Sequence, residues 1–226
     1  MKQIRAVLFD AGGTLIHIDG ERVCLAAGVP FDAPFFRRAE AAAVDAVRRF
    51  VLASPASKDA ERLPLYLDTM LVSLGFAAKE GHRAAAMRVA AEHATANLWS
   101  RGADGAPETL AVLLQRGYRI AVISNADGRV RGLLEKAGFG ELLEFVVDSA
   151  EIGVEKPDPR IFHAATGRMG LSPAVCAYVG DIYEIDVVGA AAAGLVPVLI
   201  GDAPAPESVL RVPNIRALDP LFPGFE

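Results

Sequence analysis

Short apolar runs that alternate with helical patterns constrain the fold of this chain more than any other feature of its sequence. The runs are Ala6–Phe9, Arg119–Ile123, Phe145–Val147, Cys176–Val179 and Val196–Ile200. The helical patterns between them include Pro107–Arg116, Gly128–Ala137 and Pro159–Met169. Repeated strand–helix–strand units form right-handed crossovers and a parallel sheet with helices on both faces. We therefore predict an α/β fold with a Rossmann-like, doubly wound parallel sheet.

The segment from residue 20 to residue 98 does not follow this alternation. It carries alanine- and arginine-rich amphipathic stretches at Ala33–Leu52, Pro64–Leu74 and Lys79–Leu98, and it has no strand pattern. Because a loop of that length without structure of its own is uncommon in a compact domain, we predict an inserted α-helical bundle. We place the core domain at residues 1–17 and 99–226 and the inserted domain at 18–98. The tail from Asp202 is rich in proline, and we expect it to wrap the core irregularly.

The composition argues against several classes of partner. Hydrophobic residues make up 52% of the chain, and the net charge of −5 provides no basic field for a nucleic acid. No amino-terminal stretch has the order of a signal peptide, and the apolar run at 187–200 is too short to span a bilayer. Cys24 and Cys176 are expected to be buried thiols in a reducing compartment. We expect a cytoplasmic protein with a small-molecule substrate and with no nucleic-acid or membrane partner; its oligomeric state stays open.

Polar side chains follow the predicted strands at the edge where open α/β sheets bind their ligands. Asp10 follows the first strand, Ser124 and Asn125 follow the second, Lys156 lies in the loop after the third, and Asp181 follows the fourth. Because the carboxyl ends of parallel strands meet at one edge of a sheet, we expect these side chains to lie close together.

The residue types in this set suit the binding and transfer of a phosphoryl group. Mg²⁺ takes one or two protein carboxylates together with water and phosphate oxygens, which Asp10 and Asp181 can provide. Asp186 is placed to orient the coordinating waters from outside. A hydroxyl and a cation, from Ser124 and Lys156, stabilise phosphoryl oxygens. A carboxylate beside such groups can act as a nucleophile and form an aspartyl phosphate.

Taken together, these motifs resemble those of the haloacid dehalogenase superfamily. The matching segments, in the order of that superfamily, are Asp10–Leu15, Val122–Asn125, Glu155–Asp158 and Val179–Asp181, with Asp186 after the last. The insertion after the first motif is similar to the helical cap of the first type in this superfamily. The resemblance covers both ends of the core and implies a hydrolase with Mg²⁺ as cofactor.

The resemblance also implies a role for each matching residue. It implies that Asp10 is the nucleophile and that the metal is held by Asp10, Asp181 and the carbonyl of Gly12. Residues implied to bind or stabilise the phosphoryl group are Ser124, Asn125 and Lys156. It also implies that Thr14 holds the first loop through a hydrogen bond. Asp186 is implied to support the metal site without binding the metal directly.

Position 12 departs from the pattern of the phosphatases in this superfamily. Those enzymes have a second aspartate there, which protonates the leaving oxygen and then activates water. Gly12 can do neither, although its backbone carbonyl remains available to a metal. General acid–base assistance contributes about 10²–10⁴-fold to a rate, so a conventional monoester phosphatase is expected to be slowed by roughly that factor.

Two other branches of the superfamily offer alternative reactions. A 2-haloacid dehalogenase uses no metal and lacks the acidic metal ligand of the fourth motif, so Asp181 argues against this branch. Phosphonoacetaldehyde hydrolases have a small residue at the position of Gly12, but they need a lysine of the cap that forms a Schiff base with the substrate aldehyde. The cap of this chain offers Lys58 and Lys79, and both are expected to be solvated charges.

A phosphatase-like hydrolase without the usual acid requires a good leaving group or an acid from elsewhere. Candidates for that acid are His17 and Asp19 beside the first motif, and His82 and His93 in the cap. A protein that binds phosphate and metal without turnover would need the same site residues. We predict a Mg²⁺-dependent hydrolase, a phosphatase that acts on a small phosphorylated metabolite through an aspartyl phosphate.

Overall fold

The computed structural model describes residues 3–76 and 79–224. The strands are β1 (Ala6–Phe9), β2 (Ile16–Ile18), β3 (Trp99–Gly102), β4 (Arg119–Ser124), β5 (Phe145–Asp148), β6 (Cys176–Gly180), β7 (Val196–Ile200) and β8 (Arg211–Val212). The helices are α1 (Gly20–Ala27), α2 (Ala33–Ala53), α3 (Asp59–Ser73), α4 (Lys79–Thr95), α5 (Ala106–Gln115), α6 (Val130–Lys136), α7 (Ser149–Ile152), α8 (Pro159–Met169) and α9 (Val188–Ala192). A π-helical turn, Tyr183–Val187, leads into α9.

Within the described part of the chain, six strands form one parallel sheet in the order β5-β4-β1-β6-β7-β8. Strand β1 lies at its centre, with Phe9 opposite Val122 of β4 on one side and Val179 of β6 on the other. The chain therefore winds outward from β1 in both directions, which places the carboxyl ends of β1, β4 and β6 side by side. The predicted α/β fold with a doubly wound parallel sheet is confirmed.

Apolar residues on the central strands explain why the sheet forms where the sequence predicts it. All residues of β1 and β6 are buried, as expected for strands that are covered on both faces. One core cluster joins Leu8, Ile123 and Tyr178 of the sheet to Phe162 of α8 and Ala190 of α9. This packing fixes the strands laterally, so that the polar residues after them have defined positions.

The described chain divides into two compact units. The core unit consists of Met1–His17 and Ser100–Glu226, and the helical unit consists of Ile18–Trp99. Trp99, predicted to belong to the core domain, falls in the helical unit, where its ring lies 5.5 Å from that of Tyr66.

Helices α1 to α4 form the helical unit around an apolar cluster of their own. Asp19 and Asp32 cap α1 and α2, each accepting a hydrogen bond from a backbone N–H of the first turn. Helix α3 begins at Asp59, five residues before the predicted start at Pro64, and the proline lies inside the helix. Packing against α2 therefore outweighs the lost backbone hydrogen bond at Pro64.

Three short strands depart from the predicted organisation. Strands β2 and β3 pair as a two-stranded ribbon at the two predicted boundaries between the core domain and the inserted domain. The tail, predicted to be irregular, contributes β8 to the edge of the main sheet, with Val212 opposite Ile200. These strands have two to four residues and include polar or charged positions, so they lack the continuous apolar run that identifies β1 in the sequence. In the described ranges, every helix is too short or too polar to traverse a lipid bilayer.

Candidate functional site

The polar residues predicted to meet at the carboxyl edge of the sheet come from adjacent strand ends. Asp10 follows β1, and its backbone N–H donates to the carbonyl of Val179 in β6 at 2.8 Å. Ser124 is the last residue of β4 and Asp181 follows β6, while Lys156 lies in the loop between α7 and α8. The central position of β1 therefore puts Asp10 between the other candidates.

Lys156 is the centre of a buried cluster. Its ammonium Nζ lies 2.5 Å from Asp10 Oδ1, 2.8 Å from Asp186 Oδ1 and 2.9 Å from the hydroxyl of Tyr178. The side chains of Lys156, Asp10 and Asp186 are only 3%, 10% and 2% exposed. The ammonium thus has three acceptors for its three N–H groups, and it fixes one oxygen of the carboxylate predicted to be the nucleophile.

The electrostatics of the site follow from this burial. Burial raises the pKa of Asp10 to about 6, because the opposing effect of Lys156 is incomplete and Asp186 raises it further. Burial alone would lower the pKa of Lys156, but the carboxylates of Asp10 and Asp186 outweigh it and raise the pKa. Burial, followed by the charges of Asp186 and Asp10, raises the pKa of Asp181 well above 3.8. The raised pKa values of Asp10 and Asp181 reflect burial together with negative charge that the single ammonium of Lys156 does not fully balance.

One oxygen of the Asp181 carboxylate has no protein partner in the described chain. Its Oδ1 is buried and has no hydrogen-bond donor in the described chain. The carboxylate packs against the backbone of Gly13, where φ is 79° and a Cβ would overlap the carboxylate. One oxygen each of Asp10, Asp181 and Asp186 lies within 4.8 Å of the others. An orphaned carboxylate oxygen in an excess of negative charge fits a hard divalent cation such as Mg²⁺.

Asp186 has a different environment from Asp181. Its Oδ1 accepts from Lys156, and its Oδ2 accepts from the backbone N–H of Ile182 at 2.9 Å. The π-helical turn that carries it also presses the carboxylate against Gly180, where a Cβ would overlap it. Since both oxygens already have protein donors, the arrangement favours Asp186 as a support for Lys156.

The loop after β1 is closed by its backbone. The N–H of Ile16 donates to the carbonyl of Ala11 at 2.9 Å, and the N–H of Gly13 donates to the carbonyl of Ile16 at 2.8 Å. Neither bond uses the carbonyl of Gly12, which was predicted to be a metal ligand. The prediction that Thr14 holds this loop by a side-chain hydrogen bond is wrong for this structure. Its Oγ1 is buried without a partner in the described chain, because the backbone bonds already close the turn.

Asn125 joins two loops at the edge of the sheet. Its Oδ1 accepts from the backbone N–H of Lys156 at 2.7 Å, and its Nδ2 donates to the Lys156 carbonyl at 3.0 Å. Both polar atoms thus hold the loop that carries Lys156, which favours a positioning role, and the prediction that this side chain binds the substrate stays a prediction. Ser124, one residue earlier, is buried at the end of β4.

Sequence reasoning missed the role of residues inside or just after strands. The Tyr178 hydroxyl contacts Lys156 from the middle of β6. Asp148 and Ser149, at the end of β5, accept from the backbone N–H groups of Gly128 and Ala126 in the loop after β4. A tyrosine in a strand predicted to be buried on both faces is a usable signal, because its hydroxyl then needs a partner.

The acids and bases proposed to replace an aspartate at position 12 have other environments. Burial, with a smaller effect of Arg101, lowers the pKa of His17, which keeps it neutral at neutral pH. Asp19 caps α1 through the N–H of Arg22. In the helical unit, His82 pairs with the Asp68 carboxylate, and the Nδ1 of His93 accepts from the backbone N–H of Leu98.

The lysines proposed as Schiff bases gain no support. Lys58 is exposed at the start of α3. The side chain of Lys79 lies outside the described residues. Cys24 and Cys176 are free and buried, as predicted, and burial raises the pKa of Cys176 to about 11.

Comparison with known proteins relates this site to a family. The family model of the haloacid dehalogenase-like hydrolases matches residues 4–194. Haloacid dehalogenase-like hydrolase domain-containing protein 3 of Homo sapiens is 43% identical over 120 residues, which are 52% of this chain and 48% of that protein. A glyceraldehyde 3-phosphate phosphatase of Methanopyrus kandleri is 35% identical over 138 residues, 61% of this chain and 58% of its own. The chain thus aligns with about half the length of the curated relatives it matches.

A solved structure described as a dehalogenase has the same fold. It superposes with a TM-score of 0.69 at 20% sequence identity, and the match covers 100% of both chains. At that identity the likeness concerns the fold alone. The family model, in contrast, matches most of the chain, including every residue of the buried cluster around Lys156. The resemblance seen in the motifs is confirmed: the chain belongs to the haloacid dehalogenase-like hydrolases.

Proposed function

We propose that this protein is a Mg²⁺-dependent phosphatase that acts on a small phosphorylated metabolite through an aspartyl phosphate at Asp10. One observation carries the proposal: Lys156 holds one oxygen of Asp10, and the Asp181 carboxylate beside it has a buried oxygen with no donor among the described residues. A nucleophilic carboxylate next to carboxylate oxygens that can hold a cation is what phosphoryl transfer to aspartate needs. The similarity to a glyceraldehyde 3-phosphate phosphatase supports the same reaction class.

The chemistry assigned to Asp10 is nucleophilic attack on phosphorus. Lys156 bonds to Oδ1, so Oδ2 is the oxygen that forms the new bond. The bond between phosphorus and the leaving oxygen breaks, and that oxygen takes a proton from solvent, since Gly12 has none to give. Water then attacks the acyl phosphate, which releases inorganic phosphate and restores the carboxylate. Holding the carboxylate in one orientation lowers the entropic part of the barrier.

Asp10, Asp181 and the carbonyl of Gly12 are the groups that would hold Mg²⁺. When bound, the ion supplies positive charge that offsets the repulsion between the anionic phosphoryl group and the carboxylates. Ser124 donates a hydrogen bond to a phosphoryl oxygen from the end of β4, and Lys156 contributes its fixed positive charge. Asp186 and Asn125 keep Lys156 in place from its side chain and its backbone.

The glycine at position 12 predicts which phosphorylated substrates react. Without an internal acid, the leaving oxygen departs with most of its negative charge, so its basicity sets the rate. Acyl and aryl phosphates, whose leaving groups are weak bases, are therefore expected to turn over much faster than alkyl phosphates. The difference should be of the order of the missing acid–base assistance, about 10²–10⁴-fold.

A substrate panel with and without the metal tests the proposal. Acetyl phosphate, p-nitrophenyl phosphate, glyceraldehyde 3-phosphate, phosphonoacetaldehyde and a 2-haloacid are assayed with Mg²⁺ and with EDTA. We expect phosphate release from the first two with Mg²⁺ only, and none in Asp10→Asn. Asp219→Asn makes the same change on an exposed aspartate of the core unit and should keep full activity. Phosphate release that survives both Asp10→Asn and EDTA contradicts the mechanism, and halide release favours a dehalogenase.

A further inference from the structure

We propose that Tyr178 is a positioning residue that holds the Lys156 ammonium between Asp10 and Asp186 and ties it to strand β4 directly before Ser124. The inference rests on the proposed function for the effect on turnover, since it assigns Lys156 a part in phosphoryl transfer. The juxtaposition itself is a property of the described structure, in which one buried hydroxyl joins groups from three motifs.

The contacts around the Lys156 ammonium determine its position. A lysine side chain has a flexible four-carbon stem, so contacts at its end determine where the charge lies. The carboxylates of Asp10 and Asp186 both attract the ammonium. With these two acceptors alone, Nζ could shift towards either of them. The Tyr178 hydroxyl, at 2.9 Å, is the third acceptor and defines one position for Nζ.

Packing holds the side chain of Tyr178 in a fixed position. Its side chain is fully buried in the central part of β6, and its ring meets that of Phe162 edge to face, with 4.9 Å between the centroids. Burial, followed by the negative charges of Asp186 and Asp10, raises the pKa of its hydroxyl well above 10, so the group keeps its proton. A rigid aromatic stem with a protonated hydroxyl is a fixed reference point for a flexible lysine.

The Tyr178 hydroxyl also connects the Lys156 ammonium to the strand that carries Ser124. The Tyr178 hydroxyl lies 3.1 Å from the carbonyl of Ile123, to which it donates, and 3.3 Å from Asp186 Oδ1. Ile123 directly precedes Ser124 in β4. The same hydroxyl therefore accepts from the ammonium and donates to the strand that carries the serine, which sets the spacing between the two groups assigned to phosphoryl oxygens. Removing the hydroxyl leaves the Ile123 carbonyl and one N–H of Lys156 without this partner.

The experiment compares two tyrosine-to-phenylalanine variants. Tyr178→Phe keeps the ring and removes the hydroxyl. Tyr118→Phe is the matched control, because Tyr118 is also buried at 5% exposure, packs edge to face on Phe222 and donates to a backbone carbonyl, that of Pro223 at 2.7 Å. For acetyl phosphate with Mg²⁺, we expect Tyr178→Phe to lower kcat by about tenfold to 10²-fold with KM unchanged, since a small displacement of a catalytic group has effects of this size.

A second measurement does not depend on turnover. In ¹⁵N-labelled protein the buried Lys156 ammonium gives a slowly exchanging NMR signal, which is assigned by its loss in Lys156→Arg. We expect faster hydrogen exchange and a shifted resonance in Tyr178→Phe, and no change in Tyr118→Phe. If the wild-type protein hydrolyses no phosphate compound, the proposed function fails, while this signal still decides the inference.

Two results would overturn the positioning role. One is an unchanged Lys156 resonance together with wild-type kcat in Tyr178→Phe. The other is a loss of kcat that is equal in both variants and follows their melting temperatures, since this would show a general effect of a lost buried hydrogen bond. A fall in kcat confined to Tyr178→Phe, with a changed ammonium signal and a melting temperature like that of Tyr118→Phe, supports it.

Discussion

The two ends of the main sheet carry ion pairs of opposite character. At the amino end, Arg119 begins β4 and bonds through Nε to Glu144 at 2.8 Å, and both side chains are about 40% exposed. Charges there are matched, and Arg168 lies over the ring of Phe145 at 4.3 Å. At the carboxyl end, the Lys156 ammonium pairs with two of three carboxylates, and one oxygen of each carboxylate lies within 4.8 Å of the others.

This difference distinguishes exposed surface ion pairs from a buried cluster of charges that can form a site. Exposed, matched pairs contribute little to stability because water screens them and competes for their hydrogen bonds. Buried, unmatched carboxylates oppose folding, since each loses its hydration without full compensation. Such a cluster is retained where perturbed ionisation serves a ligand or a reaction. We therefore propose that the carboxyl end is the functional end, and substitutions at the two ends are expected to have different effects.

The largest effect is expected from adding the missing acid to the carboxyl end. Gly12→Asp should raise the rate of alkyl phosphate hydrolysis by about 10²–10⁴-fold, because it restores general acid–base assistance. The backbone accepts the change, since Gly12 is not among the glycines with positive φ. Gly132→Asp is the control; it makes the same substitution in α6, where a Cβ meets nothing within 4 Å. An unchanged rate in Gly12→Asp would mean that proton transfer does not limit turnover.

Removing the ammonium that pairs with Asp10 and Asp186 should have nearly as large an effect, measured as a loss of stability. Lys156→Met leaves Asp10 and Asp186 buried without their partner, and the free energy of unfolding in urea at pH 7 should fall by about 3–5 kcal/mol. Lys136→Met, at an exposed position on α6, should change it by no more than about 0.5 kcal/mol. Equal losses in the two variants would remove the distinction between the buried cluster and the surface.

Neutralising the orphaned carboxylate should abolish the response to Mg²⁺. For the wild-type protein, Mg²⁺ at a hundred times its dissociation constant should raise the free energy of unfolding by about 2.7 kcal/mol. Asp181→Asn should lose most of this increase. Asp148→Asn makes the same change at a buried aspartate that ends β5 and accepts from Gly128 and Ala150, and it should keep this increase. A full Mg²⁺ response in Asp181→Asn, measured by thermal unfolding, would show that the ion binds elsewhere.

The smallest effect is expected at the amino end. Glu144→Gln should lower the free energy of unfolding by about 0.2–1 kcal/mol near neutral pH, as for other exposed pairs. The hydrogen bond from Arg119 lowers the pKa of Glu144 below its usual 4.5, so the contribution is present above pH 4.5. It disappears as the pH falls through the lowered pKa of the folded state. Denaturant unfolding of both proteins at pH 7 and at acid pH checks this, and a gap that widens in acid would contradict it.

Local patterns were sufficient for the main sheet and its site edge. Each of its first five strands begins at the predicted residue, and β4, β5 and β6 extend one residue further, to Ser124, Asp148 and Gly180. Elements without a periodic signal were missed, namely the ribbon of β2 and β3, the edge strand β8 and helix α1. Their formation depends on partners that are distant in the sequence, which a local pattern does not contain.

The sequence by itself determined the α/β class, the inserted helical segment, the family and the set of charged residues, because periodicity and motif order are local properties of the chain. Only the tertiary structure decided how those residues work together. It engaged both polar atoms of Asn125 in a loop and brought Tyr178 to Lys156, and it left the Thr14 hydroxyl and one oxygen of Asp181 without a protein partner in the described chain. Side-chain contacts of this kind depend on how buried strands pack, and packing joins residues far apart in the sequence.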